Sequence, residues 1–310
     1  MEGRLTPPPV TGRLAPTPSG YLHLGNILNF SLNWLTVRHL GGRLRLRIDD
    51  LDNARMRDAY LEDIFRVLDW LGMDWDEGPD GPDAHRSRYS QQFRLDIYRD
   101  ALHALKEKGH LFACDCSRKQ IRSLAPDGRY PGTCIKRELS FRRDRVAWRL
   151  QSESASLLEW EDMFQGNTRA YPHLTMPFII LRRKDGIPAY QLASVIDDEL
   201  DGITHVIRGA DLQASTAVQL YISQWLETRL SKATWGHHPL LMHTDGTKKS
   251  KSAGHDAKGS LCDSGLQAKA VVQWVGECLG IKESGETLKS LLARFSLESL
   301  KGFELAQPGW

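Results

Sequence analysis

The sequence lacks any apolar run long enough to cross a bilayer, and its first nine residues carry prolines and charge where an export leader would carry an apolar core. The expectation is a cytoplasmic protein with no membrane partner. It also lacks a charge excess: 41 basic residues face 39 acidic ones, for a formal net charge of +2. That excludes a uniformly basic nucleic-acid coat, so any RNA contact must be local. Cysteine is sparse, at five in 310 residues. In a reducing compartment such cysteines read as metal ligands or buried thiols rather than disulfides. Repeats are absent, as is any low-complexity tract beyond the N-terminal prolines. With 41% hydrophobic and 26% charged residues, disorder is excluded and a sizeable core is available.

What is there reads as alternating strands and helices. Gly12 to Ala15 predicts a short strand, and Pro16 to Gly20 a turn. Leu24 to Leu40 predicts a helix with Leu24, Ile27, Leu28, Leu32, Leu35 and His39 along one face, stopped at Gly41-Gly42. Arg43 to Ile48 alternates strictly, which predicts a strand with one buried face. Leu61, Ile64, Phe65, Leu68 and Leu71 sit at helical spacing, and a third helix runs through Tyr98, Leu102 and Leu105 to Gly109. This order predicts an open parallel α/β sheet. From Cys114 to about Ala170 the periodicity weakens, which predicts an insertion. Phe178-Ile179-Ile180-Leu181 then reads as a buried strand, Ser215 to Leu230 as a helix, and the tail from Gly265 as helices. The acidic stretch from Asp74 to Asp83 reads as a solvated, turn-rich loop.

Two segments carry phosphate chemistry. In the string from Arg13 to Asn26 a strand delivers a tight turn into a helix N-terminus, whose unpaired N–H groups suit a phosphate or carboxylate. Gly25 allows close approach to the backbone, and His23 adds a donor. A capping histidine at an ordinary strand-to-helix turn is the plain alternative. Gly246-Thr247-Lys248-Lys249-Ser250-Lys251-Ser252 gathers three cations that can close on a triphosphate and neutralise a leaving pyrophosphate. A solvated basic loop is the alternative there.

Together and in this order, the two segments resemble the HIGH and KMSKS motifs of class I aminoacyl-tRNA synthetases. Arg-Leu-Ala-Pro-Thr-Pro-Ser-Gly-Tyr-Leu-His-Leu-Gly, then Leu-Arg-Ile-Asp-Asp-Leu-Asp at 46–52 and Val-Ile-Arg-Gly-Ala-Asp-Leu at 206–212, resemble the glutamyl branch. The resemblance implies an α/β, Rossmann-type parallel sheet with a zinc-bearing insertion and a short helical C-terminal part. It divides the chain into 1–110 and 173–256 as two halves of a catalytic domain, 111–172 as an inserted zinc-binding and stem-contact subdomain, and 257–310 as a helical region. It implies that Arg13, Ala15, Thr17, Asp49, Tyr190 and Arg208 line a glutamate site, with Asp49 facing the α-amino group. It makes His23, Lys248 and Lys251 catalytic, and His23, Gly25, Asn26 and Lys251 the ATP contacts, with Mg2+ accompanying ATP. Glutamate is chemically sensible, because arginine suits a planar carboxylate.

Cys114-Asp115-Cys116 followed by Cys134 offers three thiolates for a zinc site. His110 and Asp115 are chemically reasonable fourth ligands. The resemblance instead implies Tyr130, through a Cys-x-Cys and Tyr-x3-Cys pattern. Cys262 and Cys278 read as simple thiols. Lys136, Arg137, Arg142, Arg143, Arg145 and Arg149 form the densest basic stretch, suited to an RNA stem or to a solvated face balanced by Glu138 and Asp144. The residues after Ser252 are too few for the usual helical anticodon-binding domain. Together with the cysteine pattern, this resembles the glutamyl-queuosine tRNA(Asp) synthetases. That resemblance implies a monomer that activates L-glutamate with ATP and passes it to queuosine in the anticodon stem-loop of tRNA(Asp). The alternatives are a shortened synthetase charging a tRNA 3′ end, or a synthetase-like RNA-binding protein without activity.

Overall fold

The computed structural model describes residues 9–125, 127–153, 156–241, 259–301 and 303–306. The elements run β1 (Thr11–Leu14), α1 (Leu24–His39), β2 (Arg43–Leu46), α2 (Asp58–Trp70), a single turn α3 (Pro82–Ala84), α4 (Leu95–Glu107), β3 (Leu111–Cys114) and α5 (Arg118–Leu124). They continue with β4 (Ala147–Gln151), β5 (Leu158–Asp162), β6 (Gly166–Ala170), α6 (Pro172–Thr175), β7 (Phe178–Arg182), α7 (Tyr190–Leu200), β8 (His205–Gly209), α8 (Gln213–Leu226) and β9 (Thr234–His238). The last are α9 (Ala268–Cys278), α10 (Leu288–Leu292) and α11 (Glu298–Lys301).

The parallel α/β expectation holds at the centre. β1 pairs parallel with β2, and β8 pairs parallel with β9 in the register His205 to Thr234. The Thr204 N–H donates to the Thr11 carbonyl at 2.9 Å, which lays β1 beside β8. β5 joins β9 in parallel at Asp162 and Trp235, and β6 closes that side antiparallel to β5. A second, antiparallel sheet has the order β3-β4-β7. The division at 111–172 is therefore not followed by strand pairing. β5 and β6 lie inside that range but belong to the sheet of β8 and β9, while β7 lies beyond it and pairs with β4.

Two other expectations change for physical reasons. β7 is not a wholly buried strand: it is the edge strand of its sheet, and Ile180 stays exposed while Ile179 and Leu181 are buried. The acidic stretch is not free loop. Trp34 Nε1 donates to Asp74 at 2.7 Å, and Asp76 accepts from Arg38 at 2.6 Å and from the Leu44 N–H at 2.7 Å. Burial opposes ionisation of Asp76, but those two donors outweigh it and hold its carboxyl below the usual range.

α1 is the central helix. Its apolar residues do not make a single stripe: every position from Ser31 to Val37 is buried, as are Ile27, Leu28 and Phe30. One side faces β1, where a Cβ on Gly12 would come within 2.4 Å of Val37 Cγ2. The other belongs to a core that includes Leu61, Ile64 and Leu68 of α2 and Val271, Trp274, Val275 and Leu291 of the C-terminal helices. A second core gathers α4, α7 and α8 against both sheets. The site lies between these cores, at the C-terminal ends of β1, β2 and β8.

Candidate active site

The N-terminus of α1 is built by its first residues. His23 is the N-cap, and its Nδ1 accepts from the Gly25 N–H at 3.1 Å. Asn26 Oδ1 accepts in return from the His23 N–H at 3.1 Å, which completes a capping box. An accepting Nδ1 places the proton of the neutral ring on Nε2, so the cap sets the tautomer. Capping and ligand contact are thus compatible roles for one imidazole. Gly25 is favoured by packing, because a Cβ there would lie 3.0 Å from His23 Cε1 and press on the ring.

Beside this helix end, Arg13, Ala15, Thr17, Asp49, Tyr190 and Arg208 all line one cavity of about 280 Å3. β1 supplies Arg13, the extension of β2 supplies Asp49, α7 begins with Tyr190, and β8 carries Arg208. The turn is fixed by the Asp49 N–H donating to the Pro16 carbonyl at 2.8 Å. Arg47 also lines the cavity, and neither it nor Asp198 behind it was singled out in the sequence. Arg47 Nε donates to Asp49 Oδ1 at 2.7 Å, and its Nη1 donates to Asp198 Oδ1 at 2.6 Å. Arg13 Nε reaches the same Asp198 oxygen at 3.2 Å. The signal for Asp198 was available: Asp197 and Asp198 follow Val195 and Ile196 on α7, with Asp201 at its C-cap, and carboxylates buried at such positions demand cations.

The electrostatics of these groups differ. Burial pushes the Asp49 carboxyl up to about 6, against the pull of Arg47. Asp198 is equally buried, but Arg13 and Arg47 overcome that and hold it low. Arg208 is 3% exposed, and among the described residues no carboxylate lies within ion-pair distance of its guanidinium. Its partners are neutral: Gln219 Oε1 at 2.8 Å, the Thr216 hydroxyl, Tyr190 Oη at 3.5 Å and the face of Trp235 at 4.8 Å. Burial lowers its pKa, with Tyr190 and Asp198 acting the other way. A buried cation that opens on a cavity and lacks an acid is a site for an anion.

The second constellation forms around β3. The ligand atoms of Cys114, Cys116 and Cys134 lie within 4.8 Å of one another, with the Cys116 and Cys134 sulfurs at 3.4 Å. Three thiolates on a tetrahedral zinc would stand roughly 3.8 Å apart, so the spacing fits that ion. Tyr130 packs in the same cluster, its Oη accepting from the Cys134 N–H at 2.7 Å. Burial would raise the Cys134 thiol, but hydrogen bonds from Tyr130, Asp115 and Cys116 bring it down to about 7. Asp115 binds Arg137 at 2.6 Å and Arg143 at 3.1 Å, and its Oδ1 also accepts from Cys134 Sγ at 3.6 Å. His110 stacks on Trp225 instead, at 3.7 Å between ring centres.

The basic stretch is thereby divided. Arg149 leaves the surface, with its guanidinium 4.2 Å from the Tyr130 ring centre and Nη1 donating to the Phe178 carbonyl. Lys136, Arg142 and Arg145 remain exposed. Cys278 is buried, which pushes its thiol up to about 11, and Cys262 is half-buried. The lysine string at 246–252, with Lys248 and Lys251, lies outside the described residues. Among the described residues, no helix is long and apolar enough to cross a membrane.

Comparison with known proteins places this geometry. The family profile "tRNA synthetases class I (E and Q), catalytic domain" matches residues 9–286. The chain is 39% identical over 294 residues to a glutamyl-Q tRNA(Asp) synthetase of Symbiobacterium thermophilum, covering 90% of this chain and 89% of that one. It is 34% identical over 315 residues to a glutamate–tRNA ligase of Nitratidesulfovibrio vulgaris, covering 97% of this chain and 65% of the ligase. Among solved structures, a glutamate tRNA ligase of Elizabethkingia meningosepticum superposes with a TM-score of 0.79 at 22% identity, over 97% of this chain and 67% of that one. That likeness establishes the fold, and the profile and the sequence identities establish descent: the chain belongs to the family of class I tRNA synthetases of the E and Q group.

Proposed function

We propose that the protein activates L-glutamate with ATP and transfers it to the queuosine base of tRNA(Asp). The observation that carries the first half is Arg208, a buried cation without an acid partner among the described residues, opening on a cavity shared with Arg13 and Asp49. The side-chain carboxylate of glutamate completes Arg208 and Arg13, and its ammonium group completes Asp49. The α-carboxylate is then left beside the N-terminus of α1. There an α-carboxylate oxygen attacks the α-phosphorus of ATP, the bond to the bridging oxygen breaks, and pyrophosphate leaves. Nε2–H of His23 donates to the phosphate oxygens as charge builds on them, while Lys248, Lys251 and Mg2+ neutralise the departing pyrophosphate. Gly25 and Asn26 let the nucleotide approach the helix end. In the second step a hydroxyl of the queuosine ring diol attacks the acyl carbon, AMP leaves, and the hydroxyl proton passes to solvent.

The acceptor is read from kinship. The 39% identity to a glutamyl-Q tRNA(Asp) synthetase exceeds the 34% identity to glutamate–tRNA ligases. Those ligases support the second reading, transfer to a tRNA 3′ end. Zn2+ fits Cys114, Cys116 and Cys134 with Tyr130 as fourth ligand, where it would cross-link β3 to the 130–134 loop. Exposed Lys136, Arg142 and Arg145 would then meet RNA phosphates.

Pyrophosphate–ATP exchange in the presence of tRNA(Asp) tests the activation step. Exchange that depends on glutamate, with glutamine and aspartate at least tenfold poorer in kcat/KM, is the expected result. Equal exchange with glutamine would remove the assignment of Arg208, and no exchange would favour a binding protein.

A further inference from the structure

A buried polar chain behind Arg208 takes part in none of the steps above. Asp162 at the end of β5, His237 on β9 and Thr216 on α8 are 2%, 0% and 0% exposed. Asp162 accepts from His237 Nδ1 and also from the His237 N–H at 3.1 Å and the Phe164 N–H at 3.0 Å. The far nitrogen of the ring, Nε2, lies 2.6 Å from the Thr216 hydroxyl. Thr216 accepts in turn from Arg208 Nη2, and Arg208 Nε is 3.5 Å from the same imidazole nitrogen.

The donors and acceptors resolve in one direction. Ionised Asp162 can only accept, so His237 donates from Nδ1 and presents a bare Nε2. That lone pair takes the Thr216 hydroxyl proton, since the other acceptor near the hydroxyl, the Leu212 carbonyl, is at 3.4 Å. The hydroxyl oxygen then turns its lone pairs to Arg208. Each link fixes the next, and the sequence ends on the guanidinium that lacks an acid of its own. Burial and the Arg208 charge hold the imidazole neutral against the pull of Asp162, which keeps a second cation away from Arg208.

We propose that Asp162 and His237 act through Thr216 as positioning residues that aim the Arg208 guanidinium into the cavity, and so set its affinity for the substrate carboxylate. This rests on the reading of the cavity as a glutamate site. The Trp235 face holds the guanidinium plane and Gln219 and Tyr190 accept from Nη1, while the chain holds the Nη2 and Nε side.

The test is steady-state pyrophosphate exchange with Thr216→Val, Thr216→Ser and Asp162→Asn. Thr216→Val keeps the shape and removes the hydroxyl. The expected result is a rise in glutamate KM of roughly ten- to hundredfold, the range for losing a charge-assisted hydrogen bond, with ATP KM within about twofold of wild type. Thr216→Ser should restore glutamate KM to within about threefold, and Asp162→Asn should follow Thr216→Val. A merely structural role would lower the melting temperature and move both KM values together. That pattern, or an unchanged glutamate KM in a folded Thr216→Val protein, overturns the proposal. If wild type itself gives no glutamate-dependent exchange, the functional reading falls and the positioning role falls with it.

Discussion

At the scale of residues, the site depends on how five charged groups share a small volume. Arg13 and Arg47 are neutralised by Asp198 and Asp49, and Arg208 is left for the ligand. Arg208→Gln keeps much of the volume and loses the charge. Its glutamate KM is expected to rise at least a hundredfold with ATP KM little changed, measured by exchange kinetics, because a buried charge-assisted contact is lost. Asp49 gives a pH signature. Its carboxyl titrates near 6 in the folded chain, above the ordinary value of 3.8. The fold thus prefers the protonated form, and stability from that preference is lost as pH rises through 6. Thermal melts should find Asp49→Asn more stable than wild type at pH 8, with the difference gone at pH 4. An ammonium group needs the ionised form, so glutamate KM should climb about tenfold per unit below pH 6. The six cavity residues named from the sequence line the cavity, most of them because they lie at or just past strand ends, with Tyr190 at the start of α7. Arg47 escaped because alternation marks it as one of three like residues on or beside a strand. Nothing local distinguishes the buried one.

At the scale of elements, α1 does two jobs. Its body is core, and its N-terminus is half of the proposed nucleotide site. Gly25→Ala places a methyl against the His23 ring at 3.0 Å, so the imidazole must shift and its cap hydrogen bond is weakened. The expected cost is about 1 kcal/mol of stability by denaturant melts and a loss of exchange kcat of at least tenfold. Trp34→Ala should instead cost about 3–5 kcal/mol while leaving KM values of the folded fraction unchanged, since Trp34 is buried and does not line the cavity. Helix positions were legible from spacing, but burial on all sides of α1 was not. A 3.6-residue pattern shows an apolar face, and here polar Ser31, Asn33 and Thr36 face protein as well. Asn33 does so by donating to the Ile207 carbonyl at 3.0 Å. Strand partners were equally illegible. Phe178 to Leu181 reads as an interior strand by composition, yet its partner is β4 and one of its faces is open.

At the scale of the whole molecule, the β1-β2 pair and the sheet of β8 and β9 meet at the cavity between two cores, and the cysteine cluster packs on the antiparallel sheet as a separate group. Metal analysis of the purified protein should find one zinc per chain. A Cys134→Ser protein should lose it and melt roughly 5–10 °C lower. Zinc well below one per chain in wild type would remove that site. The fold class was legible because strand-to-helix order repeats along the chain. The return of β5 and β6 to the main sheet was hidden, since antiparallel and parallel pairing leave the same two-residue alternation. The central claim is that activated glutamate goes to a base of tRNA(Asp). Mapping decides it: queuosine-containing tRNA(Asp) is incubated with ATP and labelled glutamate, then cut into nucleotides. Label on the queuosine nucleotide of the anticodon fragment is the predicted result, and label on the 3′-terminal adenosine would contradict it.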